Sequence, residues 1–285
     1  MPTWKLAGVQ MDCTLGDIAG NRANVRRHLA AAAGNGAKVV VFPECSLAGY
    51  GFGSRAEIAA HAEPFAGPSA AILADDCARL GVWCVYGFFE TAGDKLFNSA
   101  ALIGPNGPIA CYRKLHLPCV GADRFTDPGD RPMAVHDLGG LKIGLHICFD
   151  GGFPETTRVL TLLGADLAIL PTNWADKAMK SATLTPPVRA LENKIYFAAV
   201  NRIGVESGFH YIGHSSITDP FGESIDKAFH DREAILYADI DPAAARDKLV
   251  VNIPGDYEID RVNWRRPDMY GPLLEGRVFT GHRNG

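Results

Sequence analysis

Apolar residues along this chain fall into two alternating patterns. Short runs of branched and aromatic residues at 6–11, 39–42, 82–89, 97–103, 109–114, 141–147, 167–170, 196–200, 215–218 and 234–240 read as strands. Some are apolar without a break, such as Val39-Val40-Val41-Phe42 and Leu167-Ala168-Ile169-Leu170, as expected of strands covered on both faces. Pro43-Glu44 stops the first of these and Pro171 the second. Helical patterns lie between the strands. Residues 17–34 are alanine-rich, carry Val25, Leu29 and Ala32 on one stripe, and end at Gly34-Asn35-Gly36. Residues 69–80 form a second helix closed by Gly81, a third opens at Pro154, and a fourth covers 187–194. Gly104-Pro105-Asn106-Gly107-Pro108 is a hairpin loop and Asp219-Pro220-Phe221-Gly222 a turn. Strands and helices alternate twice over, which predicts an α/β fold with sheet buried under helices. No repeat, low-complexity run or composition break divides it, so one domain is placed at 1–255. The tail, 256–285, is polar and arginine-rich but holds Trp264, Tyr270 and Phe279; these aromatics favour packing on a partner subunit over disorder.

Composition narrows the class. Of 285 residues, 47% are hydrophobic and 21% charged, as in ordinary globular proteins, and a net charge of −4 spread along the chain gives no basis for nucleic-acid or membrane binding. No apolar run approaches the roughly 18 residues that span a bilayer. Met1-Pro2-Thr3-Trp4-Lys5 leads straight into a strand and lacks the form of a signal peptide. The seven cysteines are odd in number, scattered, and without a Cys-x-x-Cys pair, so neither a zinc knuckle nor a dithiol motif is indicated. The compartment they fit is a reducing cytoplasm.

Candidate chemistry gathers where strands end. Cys148 follows the run 141–147, which Gly139-Gly140 opens as a turn; Gly151-Gly152 follow and permit a sharp bend, and Pro154-Glu155 suit a first helical turn. Cys148 is therefore expected at a strand-to-helix elbow, where a helix N-terminus favours the thiolate. Glu44 ends the run 39–42 and Lys114 ends 109–112. Singly, each of the three has an ordinary reading: a small buried hydrophobe, a capping acid, a solvated charge. Together at the strand ends of an α/β sheet, where ligands bind, they make a chemical unit. The thiol attacks a carbonyl or nitrile carbon, the carboxylate moves the proton, and the ammonium stabilises the oxyanion.

These segments resemble a known family. Phe42-Pro43-Glu44, Tyr112-Arg113-Lys114-Leu115-His116-Leu117-Pro118 and Cys148-Phe149-Asp150 with Phe153-Pro154-Glu155 are similar, in order and spacing, to the three signature segments of the nitrilase, or carbon–nitrogen hydrolase, superfamily. Further stretches agree, among them Pro128-Gly129-Asp130, Arg189-Ala190-Leu191-Glu192-Asn193 and Asn201-Arg202, so the resemblance covers about residues 4 to 240. It implies a four-layer α-β-β-α sandwich. It also implies Glu44 as general base, Lys114 as oxyanion stabiliser and Cys148 as nucleophile, with the backbone N–H of Phe149 completing the oxyanion hole. Asn173 and Trp174 stand where the family contacts substrate. No metal or organic cofactor is implied. Members pair as homodimers or larger assemblies.

Three departures bear on activity. Many members carry a second glutamate about eight residues after the lysine, where this chain has Ala122 followed by Asp123. True nitrilases have Cys-Trp-Glu where this chain has Cys148-Phe149-Asp150, which is closer to the amidase and carbamoylase branches. N-carbamoyl-D-amino-acid hydrolases have two arginines where Gly151 and Gly152 stand. The expected activity is hydrolysis of a small linear amide, with a ureido compound or a nitrile as alternatives on the same triad and a noncatalytic scaffold as the contrasting class. Pocket walls are expected from 45–66, including Tyr50, Phe52 and His61, and from 119–127.

Overall fold

A computed structural model of the chain describes residues 3–276. They fall into two compact units divided between Asp247 and Lys248. The first unit runs through β1 (Trp4–Gln10), α1 (Ile18–Gly34), β2 (Val39–Val41), α2 (Arg55–Ala59), α3 (Pro68–Leu80), β3 (Trp83–Ala92), β4 (Lys95–Gly104) and β5 (Gly107–Arg113). It continues through β6 (Val135–Asp137), β7 (Lys142–Leu145), α4 (Pro154–Leu162), β8 (Leu167–Thr172), α5 (Met179–Asn193) and β9 (Tyr196–Asn201). It closes with β10 (Ile203–Glu206), β11 (Phe209–Ile212), β12 (Ser215–Thr218), β13 (Ser224–Ala228), β14 (Ala234–Ile240) and α6 (Pro242–Arg246). In the second unit β15 (Val250–Ile253) pairs antiparallel with β16 (Tyr257–Ile259), and Trp264 and Tyr270 are exposed. Phe279, the third aromatic of the tail, lies outside the described residues.

Two six-stranded sheets form the first unit, in the orders β14-β1-β2-β3-β4-β5 and β13-β12-β9-β8-β7-β6. Each has three parallel strands at its centre, β1-β2-β3 and β7-β8-β9, flanked by antiparallel ones. Strand alternation builds the layers. Val39 and Val41 join Leu6, Val85, Ile143, Leu145, Leu167 and Ile169 in a core between the sheets. Val40 faces the other way, onto Val25 and Leu29 of α1 and Leu73 of α3. Ala168 and Leu170 likewise face Leu160 of α4 and Ala190 of α5. The result is the four-layer α-β-β-α sandwich. Each fully buried aliphatic side chain contributes about 2 kcal/mol over exposure, and a one-residue slip would turn a strand's inward set outward.

Several elements differ from the sequence expectation, among them short ones it did not mark: α2, β6, β13, α6, β15 and β16. The strand expected to stop at Pro171 runs on to Thr172. Pro171 still pairs with Val200 of β9, but its N side faces β7, which pairs only as far as Ile169, so no ladder partner is left on that side to need the missing N–H. The helix expected over 187–194 begins at Met179 and holds Pro186 and Pro187 in its interior. Those prolines read as a helix start, but Ala182 one turn earlier is already buried in the core. The run 141–147 pairs as a strand only over Lys142–Leu145. The hairpin β10–β11 was not expected; Ser207 and Gly208 at its tip both take positive φ, 49° and 83°, as a two-residue hairpin turn requires.

Candidate active site

Glu44 follows β2 and is fully buried. Its backbone lies so close to β3 that a Cβ on Gly87 would sit 2.7 Å from the Glu44 Cα and 2.2 Å from the Cys45 N, so only glycine fits there. Lys114 follows β5, its N–H donating to the Asn98 carbonyl at 2.9 Å, and its side chain is sealed from solvent. Lys114 Nζ donates to Glu44 Oε1 at 2.7 Å and to Asp123 Oδ2 at 2.5 Å. Asn98, on β4, bridges the same two acids: its Nδ2 donates to Glu44 Oε1 at 2.7 Å and to Asp123 Oδ1 at 2.8 Å. The Tyr50 hydroxyl lies 2.8 Å from Asp123 Oδ2. Asp123 therefore supplies a second acid to Lys114, from a 3₁₀ turn over Gly121–Arg124, while Ala122 is buried beside Tyr50. Glu44 Oε2 has no partner.

Cys148 comes from the other sheet, three residues past the end of β7. It opens a 3₁₀ turn over Cys148–Gly152 that leads into α4, so the expected elbow is present. The strained residue of that elbow is Cys148 itself, at φ 45°, and neither Gly151 nor Gly152 takes a positive φ. Gly151 is needed instead for the close approach of Leu170, whose Cδ2 would lie 2.8 Å from a Cβ, and Gly152 borders open space. Asp150 ties the elbow to the segment bearing Lys114. Its carboxylate accepts from the Tyr112 hydroxyl at 2.8 Å, from the His116 backbone N–H at 3.0 Å and from the Ile147 N–H at 3.1 Å, with His116 Nδ1 at 2.7 Å. Arg189 of α5 grips the far side, donating to the carbonyls of Gly151 and Gly152.

Electrostatics correct the expectation of a resting thiolate. Burial pushes the Cys148 thiol well up and Glu44 pushes it further; Lys114 and the Asn173 backbone N–H pull it down by less. Helix α4 begins only at Pro154, too far along the chain to reverse this. Burial also raises Glu44, with Lys114 opposing and Asp123 adding to the rise. For Lys114, burial alone would lower the pKa, but Asp123 and Glu44 overcome it and hold the ammonium charged. The resting site is thus a neutral thiol, an ammonium held by two acids, and a carboxylate with raised proton affinity and one free oxygen.

A cavity of about 450 Å³ opens at Cys148, walled by Tyr50, Phe149, Asn173, Trp174, Phe209 and Tyr211. Phe149, Asn173 and Trp174 all line it. Asn173 follows β8 directly, by the same strand-end logic as Glu44, and Asn201 fixes the next residue: its Oδ1 accepts the Trp174 N–H at 2.7 Å and its Nδ2 donates to the Trp174 carbonyl at 3.0 Å. The expected walls are present only in part. Phe52 and His61 do not line this cavity, whereas 173–185 and the hairpin β10–β11 do. His146 is buried, with Nδ1 2.9 Å from the Ile169 carbonyl and Nε2 3.2 Å from Thr157 Oγ1, and takes no part. Among the described residues no cluster of three His, Cys, Asp or Glu is placed to hold a metal ion, and no helix is long and apolar enough to cross a membrane.

The profile of the carbon–nitrogen hydrolase family matches residues 5–248. A nitrilase of Pyrococcus abyssi is 38% identical over 247 residues, 86% of this chain and 93% of its own. An (R)-stereoselective amidase of a Pseudomonas species is 34% identical over 247 residues, 85% of this chain and 88% of its own. In three dimensions, a double mutant of the amidase from Nesterenkonia sp. AN1, solved with acrylamide, superposes with a TM-score of 0.80 at 22% identity, covering 96% of this chain and 99% of that one.

Proposed function

Since the chain belongs to the carbon–nitrogen hydrolase family of the nitrilase superfamily, we propose that it cleaves the carbon–nitrogen bond of a small linear amide through a thioester on Cys148. The observation that carries this reading is the unpartnered Oε2 of Glu44, a carboxylate with raised proton affinity whose charge acts on the protonated, partly buried thiol of Cys148. Glu44 takes the thiol proton as Sγ attacks the carbonyl carbon. Lys114 and the backbone N–H of Phe149 stabilise the oxyanion, each such donor being worth about 3 kcal/mol. As the C–N bond breaks, Glu44 returns the proton to the leaving nitrogen and ammonia or an amine departs. Water then attacks the thioester, giving its proton to Glu44; the carboxylic acid leaves and Cys148 regains its proton. Asp123 and Asn98 position Lys114 and Glu44. Nitriles are disfavoured by Phe149-Asp150, and N-carbamoyl amino acids by the glycines at 151 and 152.

The test is ammonia release from a panel of amides, nitriles and N-carbamoyl amino acids. Release from amides alone is expected. Because burial raises Glu44, kcat/KM should fall as the pH drops through a value above the ordinary 4.5 of a glutamate. Release from nitriles alone would replace the amidase reading.

We also propose that two copies pair through α4 and α5. These helices pack together, and each leaves apolar side chains outward: Leu162 of α4 is 49% exposed and Leu184 of α5 60%, with Phe221 of the nearby turn at 53%. Light scattering at micromolar concentration should give twice the chain mass, and Leu184→Glu should shift it to the monomer. A wild-type monomer would contradict the pairing.

A further inference from the structure

The cavity beside Cys148 carries polar atoms that the hydrolytic step leaves unused. Its walls are largely apolar, and the one ionic side chain among the described residues that line it, Lys177, is exposed on the 3₁₀ turn Asp176–Ala178. Asn173 and Tyr211 differ from the rest. Both amide atoms of Asn173 and the hydroxyl of Tyr211 are shut from solvent and have no hydrogen-bond partner. Buried polar atoms are nearly always paired, so three unpaired ones around one cavity call for an explanation.

Neither residue is loosely held. Asn201 pins the backbone beside Asn173, as described above. Tyr211 is fixed by the Ile212 N–H donating to the Trp174 carbonyl at 3.1 Å and by the Arg202 guanidinium 4.2 Å from its ring centre. Arg202 is itself committed to Glu206 at 3.0 Å and Asp12 at 2.9 Å. The two side chains thus present a donor and an acceptor (Asn173) and a hydroxyl (Tyr211) in fixed positions within an apolar wall, as a recognition site does.

The site's charges restrict what that group can be. Lys114 is already taken by Glu44 and Asp123, Arg202 by its own acids, and Lys177 is exposed, so among the described residues around the cavity no buried cation is left for a second carboxylate. A carboxylate on the acyl chain would be desolvated beside two acids. Among the described residues no acid lines the cavity wall to receive an ammonium, and Asp176 near the rim is 2.8 Å from His210. We propose that the preferred substrate is an uncharged amide whose acyl chain bears a second hydrogen-bonding group, of the carboxamide kind, received by Asn173 and Tyr211. This inference rests on the amide-hydrolase reading given above.

Four amides of matched length test it: glutaramide, valeramide, glutaramate and 5-aminovaleramide, with butyramide as a short reference. The kcat/KM for glutaramide should exceed that for valeramide by about tenfold, the effect of well-made hydrogen bonds. It should exceed that for glutaramate, nearly the same shape with a charge, by about a hundredfold. In Tyr211→Phe and Asn173→Leu the glutaramide-to-valeramide ratio should fall toward one. That ratio is taken within one preparation and does not depend on how much of it is folded. Valeramide equal to glutaramide, or either charged amide ahead of it, overturns the proposal. Turnover of butyramide without glutaramide overturns it and leaves the hydrolase reading standing, whereas turnover of none of the five overturns both.

Discussion

Replacing Cys148 with alanine is expected to reduce ammonia release by about 10⁴-fold or more while the protein still folds. Both halves follow from where the residue sits. The sulfur faces a cavity and belongs to no fully buried layer, so truncation enlarges an existing opening and leaves the core intact. The elbow is held by groups other than Sγ: the Asp150 carboxylate with Tyr112, His116 and Ile147, and Arg189 on the carbonyls of Gly151 and Gly152. The melting temperature should therefore change by no more than a few degrees, about 1 kcal/mol in stability. Turnover has no such reserve. Glu44 and Lys114 can polarise a carbonyl but have no other nucleophile to direct at it, because His146 is tied to Ile169 and Thr157 and the Cys45 sulfur is buried 3.5 Å from Asn98 Oδ1. Ammonia release within tenfold of wild type, from protein of confirmed sequence, would remove Cys148 from the nucleophile's role.

The parts of this site that could be read in the sequence are those that end apolar strands. Glu44, Lys114, Cys148 and Asn173 each stand just past such a run, and the parallel centres of both sheets bring their carboxyl ends to the reaction space. The rest depends on pairings that a linear pattern does not carry. Asn98 is one polar residue inside an otherwise apolar strand; its role comes from β4 lying beside β5 and opposite the turn that bears Asp123. Tyr211 comes from a hairpin whose strands mix polar and apolar residues, so it had no period to mark it, and Tyr50, expected as a pocket wall, meets Asp123 through a loop contact that no pattern announces. The elbow shows the limit in another way. Two glycines after a cysteine suggest backbone freedom, yet the left-handed residue is the cysteine, and one of the glycines answers to Leu170 across the core. Periodicity gives the layers; it does not give which side chain meets which across them.

Asp123→Ala is expected to cost about 3–5 kcal/mol of stability, the usual result of removing one partner of a buried charge pair, and to slow turnover by two to three orders of magnitude, about 3–4 kcal/mol at the transition state. The carboxylate has three donors: Lys114 Nζ at 2.5 Å, the Tyr50 hydroxyl at 2.8 Å and Asn98 Nδ2 at 2.8 Å. Without it Lys114 keeps only Glu44, the acid that must be free to accept a proton; the Tyr50 hydroxyl is left with the Val120 carbonyl at 2.9 Å and Asn98 Nδ2 with Glu44 Oε1 at 2.7 Å. Asp123→Glu should not be benign, although it restores the acid that the family resemblance implies near this point. The ammonium already lies against the shorter side chain and Ala122 fills the space beside it, so an added methylene costs about 1–3 kcal/mol through overpacking. Asp123→Asn separates charge from shape. Asp123 is one of the groups that raise Glu44, so removing its charge should let the Glu44 pKa fall. The acid limb of kcat/KM should then move to lower pH even as the maximal rate declines, since a base with a lower pKa stays ionised further into acid but accepts a proton less readily. Denaturant melts and a pH profile of the three variants read both effects. An Asp123→Asn enzyme with wild-type rate and an unmoved acid limb would show that Lys114 and Glu44 do their work without this second acid.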